Sequence, residues 1–144
     1  MICLVAMLAA CGGNTQKEAE LLLDEANRLF GNRQYTEALA TLDSLRKVYP
    51  GAVETRRQAL KLQQNIELKR AQEELAFVDS MLQAVTHDYQ YQKQKVDKDK
   101  RELRATAEEL TMLTRTLIRR DSLRTRWEVL GAKIKYIRKK QKEL

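Results

Sequence analysis

Few residues of this chain are of a type that could carry out chemistry. The 144 residues include two cysteines, one histidine (His87) and 20 Asp or Glu, many of which stand next to Lys or Arg. General acid–base or nucleophilic catalysis needs several groups within hydrogen-bonding reach of one another. No Gly-rich phosphate loop, HExxH motif or paired-cysteine motif occurs. We therefore predict a non-catalytic protein without a metal ion or other cofactor.

The cysteine at position 11 ends an uninterrupted apolar run. Residues 1–10 are MICLVAMLAA, and Cys11-Gly12-Gly13-Asn14 follows. Ten residues rise about 15 Å as a helix, half of the roughly 30 Å core of a bilayer. The run is therefore too short to span a membrane, but its length suits the apolar part of a secretory signal.

This segment resembles the lipobox of bacterial lipoproteins, and the residues that carry the resemblance are Leu8-Ala9-Ala10-Cys11. The resemblance implies that residues 1–10 are a signal peptide and that the Cys11 thiol is joined to diacylglycerol. Residues 11–15 would then be a lipidated tether in the cell envelope, facing the periplasm from the inner or outer membrane. The mature chain would keep one cysteine, already used in the thioether, so we expect no disulfide.

Residues 16–51 carry two amphipathic helices. The apolar residues of the first recur at spacings of three and four: Ala19, Leu22, Leu23, Ala26, Leu29 and Phe30. Gly31-Asn32 is expected to end this helix. The second helix has Ala38, Leu39, Leu42, Leu45 and Val48, and it ends at Tyr49-Pro50-Gly51. Two helices joined by a short turn form an αα-hairpin.

The predicted hairpin resembles a single tetratricopeptide repeat of about 34 residues. The matching small, large, aromatic and proline positions are Ala26, Leu29, Tyr35, Ala38, Leu42 and Pro50. The family uses such repeats to bind peptides in a groove, but about three neighbours are usual and no second copy occurs here. Leu45 also stands where the family has a small residue. The alternative is a plain helical hairpin that covers the start of the next helix.

Residues 52–144 have the pattern of a coiled coil, with no Gly or Pro between Ala52 and Leu130. One heptad frame holds Leu75, Val78, Leu82, Val85 and Tyr89, and continues through Val96, Leu103, Leu110, Leu113 and Leu117. A second frame holds Leu123, Trp127, Leu130, Ile134 and Ile137. The second is displaced by three residues, as in a stammer, which would overwind the coil or mark a local break.

Two all-α architectures fit this region. One is a continuous helix of roughly 90 residues, about 135 Å long at 1.5 Å per residue. The other is an antiparallel hairpin that turns between Gln90 and Glu102, with residues 97–100 as the candidate turn. The acidic residues Glu67, Glu73 and Glu74 could then face the basic final helix. We slightly favour the hairpin for an isolated monomer.

The basic character of the chain lies at its C-terminal end. The net charge of the whole chain is +7. Residues 1–111 are nearly neutral, with 16 Lys or Arg and 17 Asp or Glu, whereas residues 112–144 have 11 Lys or Arg and only 3 Asp or Glu. In the second frame, Arg119, Arg126, Lys133 and Lys140 occupy heptad position g, and Arg124 and Arg138 occupy e. Like charges at e and g oppose parallel self-pairing and favour an acidic helix or an acidic surface as partner.

The predicted function is that of a membrane-anchored scaffold or protein-binding adaptor. The candidate partner-binding residues are Arg119, Arg124, Arg126, Trp127, Lys133, Ile134, Ile137, Arg138 and Lys140. The alternative is a basic helix that binds an anionic membrane surface or an envelope polymer without a specific protein partner. Nucleic acid is not an expected partner, because the lipobox places the chain outside the cytosol and no recognition motif is present. The oligomeric state is left open.

Overall fold

The computed structural model describes residues 12–143, and over this range the chain is all-α, as predicted. Its four helices are α1 (Gly12–Gly31), α2 (Tyr35–Val48), α3 (Val53–Arg101) and α4 (Ala107–Lys142). No helix in this range is both long enough and apolar enough to span a membrane. The predicted signal peptide, residues 1–10, and the predicted lipidation site, Cys11, lie outside the described residues.

The described residues divide into two compact units. Residues 12–70 and 140–143 form the first, which we call the N-terminal unit, and Ala71–Lys139 forms the second, which we call the hairpin unit. The predicted boundary between a helical hairpin and a coiled coil, at residues 51 and 52, falls inside the N-terminal unit. The first turns of α3 therefore pack with α1 and α2.

The core of the N-terminal unit is built from apolar residues of three helices. Its buried members are Leu23, Ala26, Leu29, Ala38, Leu42, Leu45, Ala59, Leu62 and Ile66. Ala26 and Ala38 are fully buried, and their small side chains allow α1 and α2 to approach closely. The rings of Phe30 and Tyr35 lie 6.0 Å apart beside the turn. Leu45 is also fully buried, so this position of the repeat-like pattern is filled by a large side chain.

The turn between α1 and α2 uses a left-handed residue. The helix ends at Gly31, as expected, but the residue with positive φ is Arg33, at 62°. The amide N–H of Gln34 donates to the carbonyl of Leu29 at 2.9 Å, and that of Arg33 donates to Phe30 at 3.0 Å. These two bonds form a Schellman motif, which satisfies carbonyl groups at the end of the helix.

Polar contacts add to the apolar core where α1 meets the start of α3. Thr55 is 1% exposed, and its hydroxyl accepts a hydrogen bond of 2.7 Å from the side chain of Gln16. The Tyr49 hydroxyl donates to Glu18 at 3.1 Å, which joins the end of α2 to α1. The buried hydroxyl of Thr55 is thereby satisfied and costs little stability.

In the hairpin unit, α3 and α4 pack against each other in opposite directions. The guanidinium of Arg126 contacts Glu74, and Lys95 contacts Glu109, so the sequence separation shrinks from 52 to 14 residues towards the turn. This arrangement is the antiparallel hairpin, and the continuous helix of roughly 90 residues is wrong. The buried seam comprises Ala71, Val78, Val85 and Val96 from α3 and Leu130, Ile134 and Ile137 from α4.

The reversal of direction lies just beyond the predicted turn. Residues 97–100 remain helical, and α3 continues to Arg101, so their assignment to a turn is wrong. Leu103 adopts a left-handed φ of 56° and is 95% exposed. The amide of Leu103 donates to Lys100 and that of Arg104 donates to Asp99, which forms a second Schellman motif. Leu103 is therefore a turn residue and not a member of the seam.

Helix α4 begins with a capping box. The Thr106 hydroxyl accepts a hydrogen bond from the amide of Glu109 at 3.2 Å, and the Glu109 carboxylate accepts one from the amide of Thr106 at 3.0 Å. This reciprocal pair satisfies two amides that the first turn would otherwise leave without a partner. The sequence Thr-x-x-Glu is a signal for this helix start that the sequence analysis overlooked.

The two heptad frames belong to two different helices. In α3 the seam follows the first frame as far as Val96. In α4 the half-buried residues Leu113, Arg120 and Leu123 extend the second frame backwards, so that a single frame covers the helix. Leu110 is 38% exposed and lies outside this frame. The displacement by three residues therefore marks the break between α3 and α4 and does not overwind a continuous coil.

Candidate partner-binding groove

The nine predicted partner-binding residues do not form one surface. Seven have exposed side chains: Arg119, Arg124, Arg126, Trp127, Lys133, Arg138 and Lys140. Ile134 and Ile137 are only 7% and 4% exposed. The burial of Ile137 makes it a residue of the hydrophobic seam, so its assignment as a contact residue for a partner is wrong.

Arg126 already has a partner within the hairpin unit. Its guanidinium donates two hydrogen bonds, of 2.5 and 3.0 Å, to one carboxylate oxygen of Glu74. This pair confirms the expectation that Glu74 faces the basic helix. Both side chains are about half exposed, so the pair adds little stability, typically below about 1 kcal/mol. The pair shows that Glu74 of α3 and Arg126 of α4 lie at about the same level of the hairpin unit.

An open groove of about 440 Å³ runs along the side of the hairpin unit opposite the Glu74–Arg126 pair. Its lining residues are Gln72, Leu75, Ala76 and Asp79 from α3, and Trp127, Ile134 and Arg138 from α4. The floor is mainly apolar. Asp79 stands on the α3 rim and Arg138 on the α4 rim, so the two rims carry opposite charge.

Two positions in or near the groove carry no large side chain. Ala76 lines the groove on the α3 side. Gly131 occupies heptad position e of α4, between Arg124 and Arg138, and a Cβ atom at this glycine would meet nothing within 4 Å. A glycine in the middle of a helix costs about 1 kcal/mol relative to alanine.

Trp127 is 40% exposed although it stands at a seam position. Although the second heptad frame includes Trp127, part of its indole therefore lines the groove. Tryptophan and arginine are the residues most often found at the energetic centre of protein interfaces. The groove brings Trp127 and Arg138 together with Leu75 of α3. Gln72, Ala76 and Asp79 also line it, and none of these three was predicted to bind a partner.

The end of the hairpin unit near the turn is held by charged and polar side chains. Lys95 donates to Asp99 at 3.0 Å and also to Glu109. The hydrogen bond to Glu109 is the largest cause of a raised pKa for Lys95, and Lys95 in turn lowers the pKa of Glu109. Further along the seam, the Arg120 guanidinium lies 4.4 Å from the centre of the Tyr89 ring, a cation–π contact.

The remaining candidates for chemistry are isolated on the surface. The His87 side chain is 84% exposed, and its Nδ1 lies 4.0 Å from the carboxylate of Asp88. Over the part of the chain that the structure describes, no group of three or more His, Cys, Asp or Glu residues could hold a metal ion.

Comparison with known proteins does not identify a family. No protein-family model, no curated protein and no solved structure matches this chain. The groove, the distribution of charge and the lipobox residues are therefore the basis for a functional proposal.

Proposed function

We propose that this protein is a lipid-anchored, non-catalytic adaptor of the cell envelope, and that its hairpin unit binds an acidic helix of a partner protein in the groove beside Trp127. The observation that carries the proposal is the partly exposed indole of Trp127, which lines the groove together with Leu75, Ile134 and Arg138. The repeat-like N-terminal unit supports a protein-binding role. Anchoring is supported by the lipobox residues that end at Cys11.

A helix fits the groove better than a small molecule does. The site is open along its length, whereas small-molecule pockets bury most of their ligand. An amphipathic helix places side chains at i, i+3, i+4 and i+7 into such an apolar groove. Carboxylates on one flank of that helix would face Arg124 and Arg138, and basic residues on its other flank would face Asp79. Complementary charges of this kind select the partner and its orientation.

The anchor is tested by replacing the predicted lipid attachment site. In Cys11→Ala, we expect the chain to leave the membrane fraction after a high-salt wash, and its mass to lack diacylglycerol. Cys3→Ala is the matched control, because it removes the other cysteine of the chain and should leave anchoring unchanged. If Cys11→Ala stayed with the membrane as fully as the wild type, the anchoring proposal would be wrong.

The partner is tested by a photo-crosslinking amino acid at position 127 of the full chain, expressed in its native cells. We expect one crosslinked protein, attached through an acidic helix. The same probe at Ala132, an exposed residue at heptad position f of α4 that lines neither the seam nor the groove, is the control. Arg138→Glu should reduce the yield at position 127 roughly tenfold, as the loss of about 1.4 kcal/mol of binding energy does. Equal crosslinking at both positions would contradict a binding site in the groove.

A second candidate function is binding of the basic segment to an anionic membrane surface. It is favoured by the exposure of Arg119, Arg124 and Lys133 on α4. Vesicles with phosphatidylglycerol, compared with neutral phosphatidylcholine vesicles at low and high salt, distinguish the two functions. Strong, salt-sensitive binding to the anionic vesicles, together with no crosslinked protein at position 127, would favour this second function over the first.

A further inference from the structure

The side of the hairpin unit opposite the groove carries exposed apolar side chains from both helices. Phe77 and Tyr91 of α3 are 63% and 68% exposed, and Val129 and Tyr136 of α4 are 62% and 61% exposed. On each helix the two residues are separated by multiples of seven positions, so they lie on one side of it. We call these four residues the aromatic face.

The contact between Glu74 and Arg126 shows that the two rows lie on the same side of the hairpin unit. Residues three positions apart are neighbours on a helix surface. Phe77 follows Glu74 by three positions, and Val129 follows Arg126 by three. Because Glu74 and Arg126 meet across the two helices, Phe77 and Val129 flank that pair on one side. Asp79 follows Glu74 by five positions, about 140° further around the helix, and lines the groove on the other side.

The two helices carry opposite charge along the aromatic face. Between residues 71 and 92, α3 contains no Lys or Arg, and its acidic residues on this side are Glu73, Glu74 and Asp88. On the same side, α4 carries Arg119, Arg126 and Lys133. The contacts Glu74–Arg126 and Tyr89–Arg120 place Asp88 at about the level of Arg119. The face is therefore acidic on one helix and basic on the other, with apolar side chains between the charges.

We infer that the aromatic face binds a second copy of this chain, so that two hairpin units pair as an antiparallel four-helix bundle. A two-fold axis parallel to the helices sets α3 of each copy against α4 of the other. Phe77 then meets the second copy's Val129, and Asp88 meets the second copy's Arg119. The same patch is used on both copies, as in any isologous dimer. The groove lies on the opposite side and remains open to a partner.

The charges favour this occupant over a membrane. An anionic bilayer would attract Arg119 and Lys133 but would repel Glu74 and Asp88, which lie on the same side of the hairpin unit. A second copy satisfies both signs at once and covers four large apolar side chains that otherwise face water. Exposed apolar groups clustered in this way commonly mark an interaction surface.

The test is the dimer dissociation constant of the full chain, measured by sedimentation equilibrium in excess detergent. We expect Arg119→Glu and Asp88→Lys each to raise this constant at least tenfold, because each places like charges at the interface. An equal mixture of the two variants should recover wild-type affinity as a heterodimer, because Asp88 of one variant then meets Arg119 of the other, and Lys meets Glu. The mixing step separates pairing between chains from any contact within one chain.

Arg124→Glu is the matched control, since it makes the same charge change on the groove side and should leave the dissociation constant unchanged. The helical content and melting temperature of each variant report whether it folds. A wild-type chain that stays monomeric would overturn the inference and leave the aromatic face to a different protein. A mixture that fails to recover the dimer would overturn it as well. Neither result affects the groove, which is tested separately at position 127.

Discussion

The two units of this protein use amphipathic helices in different ways. The buried residues described in the N-terminal unit are apolar except for Thr55, and Leu42, Leu45 and Ile66 are at most 1% exposed. The seam of the hairpin unit includes charged residues: the side chain of Arg120 is 18% exposed and that of Asp99 is 15% exposed. The first arrangement maximises apolar burial, whereas the second gives up part of it for specific polar contacts.

The difference has a geometric cause. Three helices around one core can enclose a side chain on all sides, but two helices cover only one stripe of each other. In the hairpin unit a large part of each helix surface therefore remains exposed, which leaves Trp127 in the groove and Phe77 and Tyr91 on the aromatic face. The N-terminal unit therefore buries its large apolar side chains more completely than the hairpin unit does.

The largest loss of stability should come from a substitution in the core of the N-terminal unit. Leu45→Ala removes a fully buried side chain and leaves a cavity, at an expected cost of about 2–5 kcal/mol. Val85→Ala in the hairpin unit, where the side chain is smaller and 6% exposed, should cost less. Hydrogen exchange of amides in residues 16–66 and 75–130, followed by mass spectrometry, measures the two effects separately. If the two variants lost equal amounts of stability, the N-terminal unit would not be more tightly packed than the hairpin unit.

The next largest loss of stability is expected at the capping box at the start of α4. Thr106→Ala removes the hydroxyl that accepts a hydrogen bond from the Glu109 amide, at an expected cost of about 1 kcal/mol. Thr106→Ser keeps a hydroxyl at this position and should retain most of the stability. Chemical denaturation followed by circular dichroism measures both. If Thr106→Ser and Thr106→Ala destabilised the protein equally, the lost capping hydrogen bond would not be the cause of the destabilisation.

A gain of stability is expected at the turn itself. Leu103 adopts a left-handed conformation that costs an L-residue about 1–2 kcal/mol, and its exposed side chain contributes little packing. Leu103→Gly removes this strain but gives the unfolded chain more conformational freedom, so we expect a net gain of about 0.5–1 kcal/mol. Leu103→Ala keeps the strain and should give no such gain. A melting temperature that rises equally in both variants would rule out backbone strain as the reason.

The smallest effect is expected in the pH dependence of the stability of the hairpin unit. The pKa of Glu109 lies below its ordinary value of 4.5, first because of Lys95 and then because of the Thr106 amide. The stabilisation is therefore present above about pH 4.5 and is lost as the pH falls through the lowered pKa. Glu109→Gln keeps a residue suited to the capping box but removes the charge. Its melting temperature should be lower than that of the wild type at neutral pH and should converge with it well below pH 4.5.

Several features of the molecule could be predicted from local patterns. The spacing of Leu23, Ala26 and Leu29 predicted the buried face of α1, because helical periodicity determines which residues share a side. The apolar seam at Val78 and Val85 was predictable for the same reason. The end of α1 at Gly31 was predictable because Gly and Asn commonly follow the last turn of a helix. The concentration of basic residues after position 111 is likewise a property of the sequence alone. The lipid anchor at Cys11 is a prediction from the same source.

The path of the chain beyond α3 was decided only by tertiary structure. Heptad periodicity shows which side of a helix is buried, but it does not show whether the apolar partner lies further along the same helix or on a helix that turns back. The turn contains neither Gly nor Pro. Leu103 tolerates a strained conformation there because the antiparallel packing of Val78, Val85 and Val96 with α4 outweighs its cost.

The groove was equally a result of tertiary packing. The sequence contains Trp127, Gly131 and Arg138 at positions that suggest an ordinary seam with charged flanks. Only the approach of α3 brings Leu75 and Asp79 to the same place as the partly exposed indole of Trp127. The sequence by itself determined the helices, their buried faces and their charges, because these depend on near neighbours along the chain. The tertiary structure decided which faces meet, because that depends on residues far apart in the sequence, such as Glu74 and Arg126, which are 52 positions apart.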